Sequence, residues 1–272
     1  MTNQIDDAAA EPGAVPADIT SIHLGATDEK QWFGHPRQLA RLFSTEMWER
    51  FGYYGMRALL TLYLAQHFLF SDTTTTGVYG GFTALVYLTP LIGGLLADRY
   101  LGSKRAVKFG AIVMAIGYLI LSYQGDPAKP FATIDGQRYD VTIEGKGDAR
   151  QQFVLDGGQK LLIKGNDDKT VSLLDAGGKE VRKIADGKFK SDGERSKTTV
   201  FLLLTGLALV TIGNGFFKPN ISTMVGSLYG PGDGRRDAGF TIFYMGINLG
   251  SLFSQFLCPL LALGMGSWEG IG

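Results

Sequence analysis

The stretch Glu46-Met-Trp-Glu-Arg-Phe-Gly-Tyr-Tyr-Gly-Met-Arg57 decides the fold, because it places ionisable residues inside a long apolar segment. At 100° per residue, two acids, two bases and a tyrosine fall within about a third of a helix circumference: Glu46, Glu49, Arg50, Tyr53 and Arg57. Ionisable groups at membrane depth cost roughly 3 kcal/mol each and face a bundle interior or a water-filled path. The stripe has no net formal charge, so it predicts an internally paired network. The alternative is an amphipathic helix on the membrane surface, where such a face is solvated.

Composition excludes several classes of function. The formal net charge is zero and the sequence has no basic stripe interleaved with aromatic residues, so we expect no nucleic-acid partner. The chain has one cysteine, Cys258, in an apolar run, where a small packing role is the simplest interpretation. The sequence offers no nucleophile–base pair and no metal-ligand set. We therefore predict neither an enzyme nor a metal or cofactor site.

Five apolar segments predict an α-helical polytopic membrane protein, because about twenty apolar residues cross the hydrocarbon core. The expected spans are about 38–70, 77–96, 107–123, a fourth from Thr199 to about Asn220, and 239–263. Ser71–Thr76 is predicted to be a polar turn, and Pro90 is expected to kink the second span. The resulting division is a disordered cytoplasmic tail at 1–36, helices at 37–124, a polar region at 125–198, and helices with a truncated end at 199–272.

The distribution of lysine and arginine predicts the orientation. Short loops after the second and fourth spans are basic and are expected in the cytoplasm; their basic residues are Arg99, Lys104, Arg105, Lys108, Arg235 and Arg236. This places the amino terminus in the cytoplasm and residues 125–198 outside, in a multi-pass protein of the inner (plasma) membrane.

Residues 125–198 have the pattern of a small β unit, with short apolar runs separated by Gly-, Asn- and Asp-rich turns. The expected strands are Phe131–Ile134, Tyr139–Ile143, Gln152–Leu155, Lys160–Ile163, Thr170–Leu174 and Val181–Ile184. The acidic turns match no defined calcium loop, so ordinary hairpin chemistry is the preferred interpretation.

Two polar residues in later spans are candidates for function. Lys218 is expected to lie toward the inner end of its helix, and Pro219, which follows it, is expected to interrupt the helical hydrogen-bond ladder. Its ammonium either reaches the cytoplasmic interface or lines a cavity and pairs with an acid or an anionic substrate. Asn248 either bonds a neighbouring helix or lines the same cavity.

Four motifs together resemble those of the proton-dependent oligopeptide transporters, a branch of the major facilitator superfamily. They are Glu46-x-x-Glu49-Arg50-Phe51-x-Tyr53-Tyr54-Gly55, Gly93-Gly94-x-x-Ala97-Asp98-Arg99, Gly213-x-Gly215-x-x-Lys218-Pro219-Asn220 and Phe243-Tyr244-x-x-Ile247-Asn248-x-Gly250-Ser251. The resemblance covers about 37–124 and 199–263. It implies a major-facilitator-type amino-terminal bundle, alternating access, and uptake of di- and tripeptides together with protons.

The resemblance also implies roles for individual residues. Glu46, Glu49, Arg50 and Lys218 would couple transport to protons. The peptide pocket would be lined by Tyr53, Tyr54, Arg57, Tyr87, Lys218 and Asn248, with Arg57 and Lys218 facing the peptide carboxylate. Asp98 and Arg99 would belong to the cytoplasmic loop that changes with conformation.

The sequence departs from the family pattern in two ways. About seventy residues stand between the third and fourth spans, where the family has a short loop. Five spans are present, whereas the family has twelve, so we expect transport to require a missing carboxy-terminal half. The alternatives are a related transporter of nitrate or a drug-like anion, and a membrane anchor that displays the β unit.

Overall fold

The computed structural model describes residues 31–123, 125–145 and 150–264. Within these residues, five α-helices form the bundle: α1 (Gln38–Gln66), α2 (Asp72–Leu96), α3 (Ser103–Ser122), α4 (Lys197–Gly226) and α5 (Arg236–Pro259). The expected tail at 1–30 and the end at 265–272 lie outside the described residues. The expected disordered lead-in is wrong at residues 31–36, where β1 (Gln31–Trp32) pairs with β2 (His35–Pro36) in a short antiparallel hairpin.

Four helices within the described residues have the length and apolar composition needed to cross a membrane. They cover Asp72–Leu101, Ser103–Ser122, Lys197–Gly226 and Arg236–Ala262. Helix α1 has 29 residues, enough to span the hydrocarbon core, but its mean hydropathy is lowered by charged residues. Four of the five predicted spans therefore have the expected character, and α1 is the exception.

Helix boundaries differ from the predictions where capping or a close helix contact overrides the local sequence. The predicted polar turn at Ser71–Thr76 is wrong: Ser71 caps α2 by accepting a hydrogen bond from Thr74 N at 3.3 Å, and the threonines form its first turns. The connection after α2 is also more helical than expected. A π-helical turn, Ala97–Leu101, continues the chain, and Gly102, with φ of 73°, reverses it into α3.

Helix α4 continues through Pro219 to Gly226, six residues past the end predicted near Asn220. Proline cannot donate a hydrogen bond to the carbonyl of Gly215, four residues earlier. That carbonyl lies directly against the backbone of Gly93 in α2, at a spot where a Cβ atom would clash. A close approach between α2 and α4 thus accommodates the unpaired carbonyl, as small residues allow at membrane helix contacts.

The bundle packs as two groups of helices joined through a shared core. Helix α4 packs along both α2 and α3, and α1 packs along α5. Close approaches between backbones recur at Gly213 against Gly110, and at Gly250 against the carbonyl of Met47. The largest fully buried side chains include Phe217, Phe243, Leu39 and Leu64. Glycine at these crossings allows the backbones of neighbouring helices to approach closely.

The described residues between α3 and α4 form one antiparallel sheet of seven strands. The strands are β3 (Lys129–Ile134), β4 (Gln137–Glu144), β5 (Gln151–Asp156), β6 (Gln159–Gly165), β7 (Val171–Leu174), β8 (Glu180–Ile184) and β9 (Phe189–Glu194). Six of them overlap the predicted strands, and β9 was missed. It pairs with β3, so the last strand returns beside the first and brings the two ends of the unit together at the membrane helices.

Candidate functional site

An ion-pair cluster lies on the buried side of α1. Arg50 Nε lies 3.1 Å from Glu46 Oε1, and it also donates a hydrogen bond to Glu49 Oε2. All three side chains are at most 5% exposed. One helical turn places Glu46 and Arg50 on the same face, as the spacing predicted. The surface-helix alternative required a solvated polar face, and this face is enclosed by the protein.

Arg57 does not join this cluster, although the helical spacing put it on the same stripe. Its Nε donates a hydrogen bond to the hydroxyl of Tyr79 in α2 at 2.6 Å, and its guanidinium lies 5.7 Å from the centre of that ring. The predicted pairing of two acids with two bases is therefore wrong in detail. The cluster contains two carboxylates and one guanidinium, with a formal charge of −1.

Asn214 of α4 completes the cluster and was not predicted as a site residue. Its Nδ2 donates a hydrogen bond to Glu49 Oε1 at 3.1 Å, and its side chain is completely buried. The neighbouring Gly213 and Gly215 let α4 approach α3 and α2 closely. The signal available in the sequence was an amide inside an apolar run with glycine on both sides.

Several buried polar atoms around the cluster have no protein partner among the described residues. They are Glu46 Oε2, Arg50 Nη2, Asn214 Oδ1 and the hydroxyl groups of Tyr53 and Tyr118. Buried polar groups in proteins are nearly always satisfied by protein or ordered water. These atoms are therefore where a water, a proton or a polar ligand interacts most favourably.

Lys218 lies in the same part of the bundle and is half-buried. Its Nζ is 5.4 Å from the ring centre of Tyr87, and it lies within electrostatic range of Glu46, Glu49 and Arg50. It forms no salt bridge with any residue that the structure describes. Because α4 continues about two turns beyond Lys218, the residue is farther from the helix end than the sequence suggested.

The predicted pocket residues separate into two environments. Tyr53 is buried among apolar side chains beneath the guanidinium of Arg50, and the ring of Tyr54 packs edge-on against it. Tyr87 is 62% exposed on α2 beside Lys218. Asn248 is exposed on α5 in a separate groove of about 530 Å³, shared with Tyr244 and Met245. The bundle thus brings Tyr53, Tyr87 and Lys218 toward the cluster, whereas Asn248 lines another surface.

Asp98 and Arg99 are exposed in the π-helical turn that follows α2. The guanidinium of Arg99 lies 5.7 Å from the ring centre of Tyr100, and neither residue forms a salt bridge within the described part of the chain. The glycine that precedes them in the motif, Gly93, has the close contact with α4 described above. The motif therefore combines a tight helix crossing with an exposed charged turn.

Comparison with known proteins decides the family. A family model described as "PTR2: POT family" matches residues 104–269. The chain belongs to the POT family. It is 33% identical to the peptide transporter YePEPT of Yersinia enterocolitica over 86% of the chain and 32% of that protein. It is 29% identical to dipeptide and tripeptide permease A of Pectobacterium carotovorum over 86% of the chain and 32% of that protein.

The fold agrees with this assignment. A crystal structure of a POT peptide transporter in complex with sulfate has a TM-score of 0.59 and 29% identity, covering 88% of this chain and 35% of that one. The resemblance predicted from the four motifs is confirmed. The chain spans about a third of the length of the curated POT relatives that it matches.

The end of this POT bundle opposite the sheet contains a polar cluster that the sequence did not reveal. His35 Nδ1 of the hairpin lies 2.9 Å from the hydroxyl of Tyr229, and Arg235 Nη1 donates to the carbonyl of Gly34 at 3.0 Å. Burial raises the pKa of Tyr229. Hydrogen bonds from Arg235 lower the pKa of Asp233 to about 2. These contacts fasten the hairpin to the loop between α4 and α5.

Proposed function

We propose that this POT chain forms the first helices of a proton-coupled symporter that takes up di- and tripeptides by alternating access. The names of its relatives, a peptide transporter and a dipeptide and tripeptide permease, support this substrate class. The observation that carries the proposal is the buried cluster of Glu46, Glu49 and Arg50 in a membrane bundle. Because the chain covers about a third of these relatives, we propose that transport requires further helices that form a second half.

The cluster provides a way to couple a proton to a change of contacts. With both carboxylates ionised, it has a net charge of −1 and uses Arg50 to hold both acids. A proton on Glu46 or Glu49 neutralises the cluster and removes one acceptor from Arg50. The guanidinium, or the nearby ammonium of Lys218, is then free to change partner. A switch of this kind needs a buried site, because water would otherwise screen the charge.

The two cations outside the cluster are suited to the peptide carboxylate. Arg57 is held toward α2 by Tyr79, and Lys218 lies beside Tyr87. We propose that these cations bind the carboxylate and that Tyr53, Tyr54 and Tyr87 line the rest of the pocket, whereas Asn248 lies in the separate groove on α5. The charged turn at Asp98 and Arg99 would contact the second half in one of the two conformations.

We propose that all five helices cross the lipid bilayer of the inner membrane. Helix α1 crosses despite its charges because they are paired and face the bundle interior. The basic loops around Arg105 and Arg235 would lie in the cytoplasm with the amino terminus. Residues 125–198 would then form an inserted β domain on the opposite side of the membrane.

The test is uptake of labelled dialanine by the complete polypeptide in proteoliposomes with an inward proton gradient. Glu49→Gln should abolish accumulation while dialanine exchange continues, because the amide cannot carry the coupling proton. Glu144→Gln is the matched control, since it removes an exposed glutamate of the sheet and should leave accumulation unchanged. Normal accumulation by the Glu49→Gln protein would disprove the coupling role.

The same assay separates the alternatives. If nitrate or a drug-like anion, but not dialanine, accumulates with the gradient, the chain belongs to a transporter of a different substrate. If nothing accumulates and no exchange occurs, the membrane-anchor interpretation is favoured.

A further inference from the structure

A polar cleft of about 620 Å³ lies between the sheet and the end of the bundle where α1 connects to α2. Its volume is within the range of small-molecule binding sites. One wall belongs to the α1–α2 connection and the start of α2, with Phe70, Ser71 and Asp72. The other wall belongs to β9 and the segment after it, with Ser191, Asp192 and Arg195. The cleft exists only because the sheet is docked on the bundle.

The docking is fixed by contacts to the connection between α1 and α2. Ala128 N donates a hydrogen bond to the carbonyl of His67 at 2.8 Å, and Arg195 Nη2 donates to the carbonyl of Leu69 at 3.2 Å. Gly193 lies so close to Leu69 that a Cβ atom there would be 2.7 Å from the leucine Cβ. The guanidinium of Arg195 lies 4.8 Å from the ring centre of Phe70. The walls are therefore held at a set separation.

The cleft presents both signs of charge together with apolar surface. Arg195 also donates a hydrogen bond to Asp192 Oδ1, but its buried Nε has no acceptor within the described residues. Asp72 is exposed on the helical wall and forms no salt bridge with any residue that the structure describes. With Asp72, Asp192 and Arg195, the lining has a formal charge of −1. Phe70, Pro130 and Ile143 supply apolar area.

This combination of groups matches one chemical class better than the others. A metal ion would be opposed by Arg195, and the described residues contain no group of three acids, histidines or cysteines able to hold one. A zwitterion, by contrast, needs an acceptor for its ammonium, a donor for its carboxylate, and apolar contacts for its side chains. Asp72, the guanidinium of Arg195 and Phe70 supply these three functions.

We propose that the cleft is a second binding site for short zwitterionic peptides, separate from the pocket near Lys218. The ammonium binds at Asp72, the carboxylate binds at Arg195, and the side chains pack on Phe70 and Ile143. The ligand class depends on the proposed function, because the same peptides would be the transported substrate. The inserted domain thereby gains a role in collecting substrate at one end of the bundle.

The test is photo-crosslinking of the purified chain in lipid nanodiscs with an alanyl dipeptide that contains photoleucine. Adducts are mapped by mass spectrometry. We expect adducts on segments 65–74 and 130–143. Asp72→Asn should lower their yield by roughly fivefold at subsaturating probe, since an exposed ion pair contributes modestly to affinity. Asp140→Asn is the matched control, because Asp140 is exposed on the sheet outside the cleft.

Unlabelled dialanine should compete with the probe, and N-acetyl-dialanine amide should not. The proposal is overturned if these segments carry no adducts, if Asp140→Asn lowers the yield as much as Asp72→Asn, or if the blocked peptide competes equally. Adducts near Tyr87 and Lys218 are scored separately and report on the transport pocket. Adducts there without adducts in the cleft would disprove this inference and leave the proposed function intact. The reverse pattern would support the cleft as a peptide site and remove support for the transport pocket.

Discussion

The ion pairs of the bundle and those of the sheet use the same side chains in opposite surroundings. In α1, Arg50 and its two glutamates are at most 5% exposed. In the sheet, the pairs Arg138–Glu194, Lys160–Glu144, Arg182–Asp135 and Lys183–Asp168 have side chains between 39% and 62% exposed. The first group has lost most of its hydration, and the second group keeps it.

The difference in exposure gives the two kinds of ion pair different responses to the loss of a partner. An exposed pair is screened by water and contributes about 0–1 kcal/mol to stability. Each charged group of a buried pair is stabilised by its partner, so removing one partner leaves an uncompensated charge. A single proton therefore changes the contacts of the surrounding structure in a buried pair and has little effect in an exposed pair.

The largest expected effect is the loss of stability when the base of the buried cluster is removed, compared with removal of the base of an exposed pair. Arg50→Leu leaves Glu46 and Glu49 buried without a cation and should destabilise the bundle by about 3–5 kcal/mol. Lys160→Leu leaves Glu144 exposed to water and should cost about 1 kcal/mol or less. Unfolding by SDS titration in mixed micelles, followed by circular dichroism, measures both. Equal losses from the two substitutions would show that α1 is hydrated.

An intermediate effect is expected from Asn214→Leu. The substitution removes the amide that donates to Glu49 Oε1, and an unsatisfied buried acceptor costs about 1–3 kcal/mol. Asn248→Leu changes the same residue type on an exposed face of α5 and should be nearly neutral in the same titration. If both variants unfold alike, the bond between α1 and α4 does not stabilise the bundle.

The smallest effect concerns the pH response of the exposed region. Hydrogen bonds from Thr170 and then Lys183 lower the pKa of Asp168 from its usual 3.8 to about 2. Because the folded pKa is the lower one, the ionised carboxylate stabilises the sheet above about pH 3.8. This contribution is lost as the pH falls from that value toward 2. A carboxylate NMR titration of the wild type should show the low pKa, and Lys183→Met should raise it; a normal pKa in both would contradict the assignment.

The sequence was most informative where a residue's neighbours lie within one helical turn. The pairing of Arg50 with Glu46 follows from their spacing, and the four motifs together identified the family. Prediction from the sequence failed where the structure of one segment depends on contacts with a segment distant in sequence. Strand β9 has no apolar alternation, and it forms because β3 offers a free edge for it to pair with. Helix α4 continues to Gly226, past its predicted end near Asn220, and Gly93 of α2 lies against the carbonyl that Pro219 leaves unpaired.

The sequence by itself determined that charged residues occupy one side of the first helix, that apolar spans follow it, and that a turn-rich polar region stands between two of them. These properties depend on the order of residues along the chain and on the period of a helix or strand. Only the tertiary structure decided that Asn214 completes the cluster, that Arg57 turns to Tyr79, and that the sheet docks against the α1–α2 connection. Each of these contacts joins residues far apart in sequence. It therefore depends on how closely the helices and the sheet approach each other, and the spacing of residues along the chain does not determine that distance.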